Sequence, residues 1–334
     1  MAGGILIFAP NWLGDAVMAL PAIDAVRRGR PEAPLTIAAR PAVAPLFDLT
    51  GGCAVLRLER SATAAAALRT GGYEAALLLP NSFNIARLAW RAGIPERWGY
   101  ATDFRSWLLT RAVPARPRLH QVESYRHLAR SLGFADAAPE PRIDLTDSVR
   151  EEGRTRLMAE GWDGQQPLVA MAPGAAFGTA KRWPPGYFAQ LVDRYAARGV
   201  TSVLVGSSGD MAAGREVAAA RRVPSRTPAP SPGMIDLIGR SDLRLLAAVL
   251  AHSRVLVTND SGAMHFAAAL GVNVTAMFGP TIETETHPVG RAQAAVITAS
   301  VWCRPCMLRE CPLTHRCMRE ISVDRVFAST EAHV

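Results

Sequence analysis

"VLVTNDSGAMHFAAALGV", residues 255–272, changes character halfway. Val255, Leu256 and Val257 form a short apolar run suited to a buried strand, and Met264, Phe266, Ala267, Ala268, Ala269 and Leu270 suit a buried helix. Between them stand Thr258, Asn259, Asp260, Ser261 and Gly262, with His265 one turn into the helix. The first N–H groups of such a helix lack intrahelical partners, and its dipole makes that end positive. Small residues there let an anion approach the backbone, as at a phosphate site. His265 lies four residues past Ser261 and shares its helical face. An alternative stands beside this one: Asp260 as an ordinary helix cap and His265 as a satisfied core histidine.

The same strand-to-helix joint recurs along the chain. Apolar runs at 4–9, 34–39 and 74–80 each precede a helical stretch, at about 15–28, 42–48 and 83–92. A less patterned region follows, with a helix expected over 124–133, a proline-bearing break at 134–145 and an amphipathic helix over 146–162. The alternation then restarts with runs at 167–173, 201–206, 234–239, 254–259 and 273–280. Nearly continuous apolar strands alternating with helices imply parallel sheets covered on both faces. The expectation is α/β: two doubly wound Rossmann-like domains facing across a cleft, with ligands at the carboxyl ends of the strands. The boundaries expected are 1–160 for the first domain, 161–320 for the second, and a C-terminal helix, 321–334, packing back on the first.

A chain of 334 residues, 49% hydrophobic, can bury two cores. It has no run of about 18 uncharged apolar residues to span a membrane, and its N-terminus lacks the basic start of a signal peptide. A cytoplasmic protein is expected. The net charge of +8 implies an anionic partner: nucleic acid, anionic membrane or a phosphorylated small molecule. Of the 37 basic residues only Lys181 is a lysine. A sole lysine is a candidate for a point-charge role that the arginine fork fills badly, with an incidental surface position as the alternative. Between Arg87 and Arg130 arginines outnumber Glu96, Asp103 and Glu123, and Trp90, Trp98, Tyr100, Phe104 and Trp107 lie among them. That mixture fits nucleic acid or a lipid–glycan surface equally.

Two further loops follow strands. "APGAAFGTAKRWPPGYFAQL" (172–191) is rich in small residues up to Lys181, and its prolines suit the first turn of the next helix. Such a loop suits a diphosphate, although the Walker spacing is absent. "PNWLGDAVMALPA" (10–22) places Asp15 after Gly14 at the end of the first strand, as a helix cap or as a general base.

"NWLGDAVMALPA", "PGAAFGTAKRWP", "TNDSGAMHFAAALG" with "FGPT" (278–281), and "CRPCMLRECPLTHRCM" (303–318) together resemble the ADP-heptose:lipopolysaccharide heptosyltransferases, glycosyltransferase family 9. The blocks run from residue 11 to 318 in the family's order; 84–145 matches little beyond "HQVESYRHL" (120–128). The resemblance implies a two-Rossmann (GT-B) fold, with acceptor on the first domain and nucleotide sugar on the second. It implies transfer of L-glycero-D-manno-heptose from ADP-heptose onto heptosyl-Kdo2-lipid A of the lipopolysaccharide core, inversion at the anomeric carbon, and no catalytic metal. It also implies a peripheral enzyme on the inner face of the cytoplasmic membrane, with no nucleic acid partner. In this frame Asp15 is the base and Lys181 the cation for the leaving ADP. Donor-side candidates are Thr179, Lys181, Asp210, Ser241, Asp260, Ser261, Gly262 and His265. Acceptor-side candidates are Asn11, Gly14, Arg105, Arg111, Arg116, Arg118 and His120.

Cys303, Cys306, Cys311 and Cys317 have the spacing C-x2-C-x4-C-x5-C, with His315 among them. Four thiols in a cytosolic chain suggest a structural zinc held by four thiolates, or by three and the imidazole; an iron–sulfur cluster and reduced packing cysteines are the alternatives. Two rival functions account for part of these features. One is a basic nucleic-acid-binding protein with a four-cysteine zinc element. The other is a different nucleotide-sugar enzyme of this architecture, such as an epimerase.

Overall fold

The computed structural model describes residues 3–59, 64–136, 138–221 and 233–334. The chain divides into two compact units, Met1–Arg142 and Ile143–Val334.

The first unit holds a six-stranded sheet: β1 (Gly4–Phe8), β2 (Leu35–Ala39), β3 (Ala54–Arg57), β4 (Tyr73–Leu78), β5 (Glu96–Tyr100) and β6 (Arg111–Val113). Its order is β3-β2-β1-β4-β5-β6, and every neighbouring pair is parallel. Ile5, Leu6, Ile7 and Phe8 are buried because helices cover both faces of the central strand. The helix expected at 15–28 is two helices, Leu13–Met18 and Leu20–Gly29. Pro21 has no N–H to continue the first, and it suits the first turn of the second.

The second unit repeats the plan with β7 (Leu168–Ala172), β8 (Thr201–Leu204), β9 (Met234–Asp236), β10 (Val255–Asn259), β11 (Asn273–Phe278) and β12 (Ala294–Thr298). The order is β12-β11-β10-β7-β8-β9, again parallel throughout. In each sheet the winding reverses once, between β1 and β4 and between β7 and β10. Loops leaving the carboxyl ends on either side of that reversal diverge and open a crevice.

Two expected boundaries are corrected. The division falls at Arg142/Ile143, not at 160. Helix Asp147–Ala159 belongs to the second unit because it packs along helix Leu243–His252. Gly153 makes that approach possible: a Cβ there would lie 2.6 Å from the Ala248 carbonyl oxygen. The second correction concerns the C-terminal helix, Val323–Ala328, which closes the core of the second unit instead of returning to the first. Val323, Val326 and Phe327 pack with Phe188, Leu191 and Tyr195. Tyr195 Oη and Thr330 Oγ1 are 2.5 Å apart, and the Trp183 indole N–H donates to the Ile321 carbonyl at 2.9 Å.

Candidate active site

The site of the second unit forms at its switch point. Thr258 is in register with Ala172 across the parallel pair, so Asn259 lies beside the loop that leaves β7. The buried Asn259 amide joins the two strand ends. Its Nδ2 donates to the Pro173 and Gly174 carbonyls at 2.9 and 3.1 Å, and its Oδ1 accepts the Trp183 N–H at 2.9 Å. Three hydrogen bonds of about 1 kcal/mol each fix the 173–183 loop to β10.

That loop carries Lys181 in a short turn, Thr179–Lys181. Its Nζ lies 2.5 Å from Asp260 Oδ2, and the side chains are 11% and 6% exposed. Asp260 Oδ2 also accepts the Thr281 hydroxyl at 2.6 Å. The Asp260 N–H continues the β10–β11 ladder by donating to Met277 at 3.0 Å, which places the carboxylate beside Thr281. Lys181 further lies over the Phe177 ring, 4.6 Å from its centroid.

Asp260 is therefore not the helix cap. The N-cap of helix Gly262–Ala269 is Ser261, whose side chain makes no capping hydrogen bond and lies 3.1 Å from the Thr258 hydroxyl. No side chain caps the first amides of this helix, and Lys181 reaches Asp260, one residue before its N-cap. His265 is buried within the helix.

Of the other donor-side candidates, Asp210 borders Gly174 of the 173–183 loop, where a Cβ would lie 1.9 Å from its Oδ1. Asp210 closes a capping box: its Oδ2 accepts the Ser207 N–H at 2.9 Å and hydroxyl at 2.7 Å. Ser241 directs its hydroxyl to the Leu237 carbonyl at 3.5 Å. Thr179 is exposed and lines a separate cavity of about 370 Å³ with Arg182, Glu216 and His315.

The cysteine segment braces the 173–183 loop and the loop that follows β11. Arg309 O accepts the Ala180 N–H at 3.0 Å, and a Cβ on Gly178 would lie 2.2 Å from that same oxygen. Met307 N donates to Pro280 O at 2.9 Å, and Arg304 Nε to Gly279 O at 2.9 Å. Burial pushes the Cys317 thiol up, and the neighbouring Cys303, Cys311 and Cys306 push it further. The four thiols are thus neighbours. Yet among the described residues no three His, Cys, Asp or Glu side chains form a group that could hold a metal ion.

In the first unit Asp15 occupies the third position of helix Leu13–Met18, whose N-cap is Trp12. Burial pushes the Tyr125 hydroxyl well up, and the Asp15 carboxylate adds to that shift, so the two side chains are neighbours. Gly14 is buried, and Asn11 lines a cavity of about 540 Å³ with Arg40, Ser82, Asn84, Arg87 and Arg91. This cavity sits at the carboxyl ends of β1 and β2. Composition alone did not single out Arg40, Arg87 and Arg91, because arginine is everywhere in this chain.

Of the acceptor-side arginines, Arg105 is corrected. It is fully buried, and burial lowers its pKa to about 10. Its guanidinium donates to the Tyr100 carbonyl at 3.0 Å, to Pro80 O, and to Asn81 Oδ1 at 3.1 Å. It holds loops together and offers no exposed contact to an acceptor. Arg111, Arg116 and Arg118 are exposed. Arg116 lies near the end of β5: after burial, it is the largest influence lowering the pKa of His127. His120 caps helix Gln121–Ser131, its Nδ1 accepting the Val122 N–H at 3.2 Å.

Two doubly wound units, one carrying an anion-ready helix start beside a buried lysine, define a nucleotide-binding protein of the two-Rossmann class. The comparisons make the class specific. Residues 62–316 match glycosyltransferase family 9 (heptosyltransferase), and the chain belongs to that family. It is 32% identical over 304 residues to lipopolysaccharide heptosyltransferase 2 of Salmonella typhimurium, covering 85% of each chain. It is 30% identical over 301 residues to the Escherichia coli K12 protein of the same name, again covering 85% of each. Among solved structures it is similar to E. coli ADP-heptose lipopolysaccharide heptosyltransferase II, with a TM-score of 0.85, 27% identity and 98% of each chain covered.

Proposed function

We propose that this glycosyltransferase moves L-glycero-D-manno-heptose from ADP-heptose onto heptosyl-Kdo2-lipid A, with inversion at the anomeric carbon, at the cytoplasmic face of the inner membrane. The observation that carries the reading is the buried Lys181–Asp260–Thr281 group beside the uncapped start of helix Gly262–Ala269, in a chain similar to heptosyltransferases 2.

The second unit holds the donor. Its diphosphate meets the amides at Ser261 and Gly262 and the Lys181 ammonium. As the glycosidic bond breaks, these donors stabilise the charge that gathers on ADP. Asp260 positions the lysine, and Thr281 positions Asp260. His265 supports the helix from its buried side. Asp15 accepts the proton of the acceptor hydroxyl as that oxygen attacks the anomeric carbon from the opposite side, which produces inversion. Arg111, Arg116 and Arg118 meet the anionic groups of the glycolipid. The charge developed in this scheme is met by protein cations and amides, so it invokes no metal.

The test is incubation of the purified chain with ADP-heptose and heptosyl-Kdo2-lipid A, followed by mass analysis. An acceptor heavier by one heptose, with ADP released only when acceptor is present, supports the proposal. A donor altered without acceptor would indicate an epimerase or a hydrolase, and no product with either substrate overturns the reading.

A further inference from the structure

The loop between β5 and β6 is firmly built, yet it turns its largest apolar side chains outward. Phe104 is 94% exposed and Trp107 70%, while Arg105 between them is 0% exposed. Arg105 clamps the loop from beneath through the Tyr100 and Pro80 carbonyls and the Asn81 side chain. Asp103 and Phe104 both have left-handed backbones, with φ of 53° and 54°. A bulky aromatic residue adopts that conformation at a cost and keeps it only where the surroundings enforce it.

The loop is also fixed to its neighbour. Asp103 Oδ2 accepts the Phe83 N–H at 2.7 Å, at the start of helix Phe83–Arg91. The Trp107 and Phe83 rings lie 6.2 Å apart, tilted by 52°. On this helix Phe83, Arg87 and Trp90 are spaced i, i+4 and i+7 and share a face. Trp90 is 53% exposed. Arg91 lies one turn beyond Arg87. Neither arginine enters an ion pair among the described residues.

We infer that this patch is the lipid-contacting surface of the first unit. The Phe104 and Trp107 rings, with Trp90, enter the headgroup–acyl boundary of an anionic bilayer, and Arg87 and Arg91 pair with lipid phosphates. The amphipathic tryptophan ring partitions to that boundary, phenylalanine adds apolar area to it, and basic side chains beside them add attraction to anionic lipids. Rings that stack on bases line a charged groove; Phe104 instead stands clear of the surface. Arg87 and Arg91 also border the 540 Å³ cavity at the strand ends. The membrane contact therefore adjoins the cavity open to an acceptor that reaches the enzyme from a bilayer. The inference rests on the function proposed above only for that last link.

The test uses the full chain and vesicles of phosphatidylcholine with or without phosphatidylglycerol. Wild type should sediment with the anionic vesicles and show a blue-shifted tryptophan emission that brominated lipids quench. Phe104→Ser/Trp107→Ser should lose about tenfold or more of that partitioning, with an unchanged melting temperature and unchanged turnover of a deacylated, water-soluble acceptor. Arg87→Gln/Arg91→Gln should bind less at low salt and match wild type at high salt. Three results overturn the inference: wild type that ignores anionic vesicles, a ring variant that binds them undiminished, or ring-dependent binding of a single-stranded oligonucleotide in preference to vesicles. Vesicle binding that needs the rings, in a protein that transfers no heptose, supports the inference and removes only the proposed function.

Discussion

Replacing Lys181 by Met tests the centre of the proposed donor site, because its two consequences can be separated. The ammonium and the Asp260 carboxylate are 2.5 Å apart and nearly enclosed. Removing the lysine leaves a buried carboxylate with the Thr281 hydroxyl as its remaining partner. Stranding one member of a buried pair costs about 3–5 kcal/mol, and the surviving hydrogen bond places this case near about 3. Loss of a cation that meets charge in the transition state costs a further ~2–4 kcal/mol of barrier, about 10² to 10³ in turnover. Adding Asp260→Asn removes the stranded charge while keeping an acceptor for Thr281. The double variant should regain about 2 kcal/mol of stability and none of the activity. Denaturant unfolding and steady-state kinetics on wild type, both single variants and the double variant give the cycle. Stabilities that simply add would show that the pair is not coupled, and near-wild-type kcat/KM in Lys181→Met would remove the lysine from the chemistry.

Asp15→Asn should lower kcat by about 10² to 10⁴ while leaving ADP-heptose affinity and melting temperature in place; unchanged kcat in the kinetic assay would end the general-base proposal. Asn259→Ala removes three buried hydrogen bonds, so calorimetry should show a loss of about 2–3 kcal/mol, with a raised donor KM as the 173–183 loop loosens. Gly153→Val drives a side chain into the Ala248 backbone and should cost about 1–3 kcal/mol in a denaturant titration. Burial raises the Tyr195 hydroxyl to about 12, and Thr330 partly opposes the shift. Above its ordinary pKa of about 10 the unfolded chain gives up this proton first, so stability should fall as pH rises between these values. Tyr195→Phe should flatten that alkaline decline in a pH series of melts.

Much of the fold was legible because parallel strands buried on both faces leave continuous apolar runs. β1, β4, β7, β8, β10 and β11 all read that way. β3, β5, β6 and β12 did not: β3 and β6 run only over Ala54–Arg57 and Arg111–Val113, β5 opens on Glu96 and Arg97, and β12 leaves Ala294 and Val296 exposed. The proline-bearing break at 134–145 marked the true boundary. The helix after it was misassigned because its membership depends on one tertiary approach, Gly153 against Ala248. At the proposed donor site the sequence pointed to Lys181 and to the Ser261–Gly262 turn. It did not show that Asp260 pairs with Lys181, since the two are far apart in the chain. Asn259 passed for a turn residue, and only the register of β10 with β7 reveals it as a clasp. Arg105 looked like its exposed neighbours because charge does not reveal burial.

The place of the last residues in the second core also affects how the protein is made on the ribosome. The first unit is one continuous stretch of chain and has all its strands once residue 142 has emerged. The second cannot close until Val326, Phe327 and Thr330 reach Tyr195 and its helix, and Thr330 follows Tyr195 by 135 residues. Domains assemble in the order of their synthesis. A nascent chain thus carries a finished first unit while the second still lacks its closing helix. A chain cut before Val323 should keep a folded first unit and an unclosed second core.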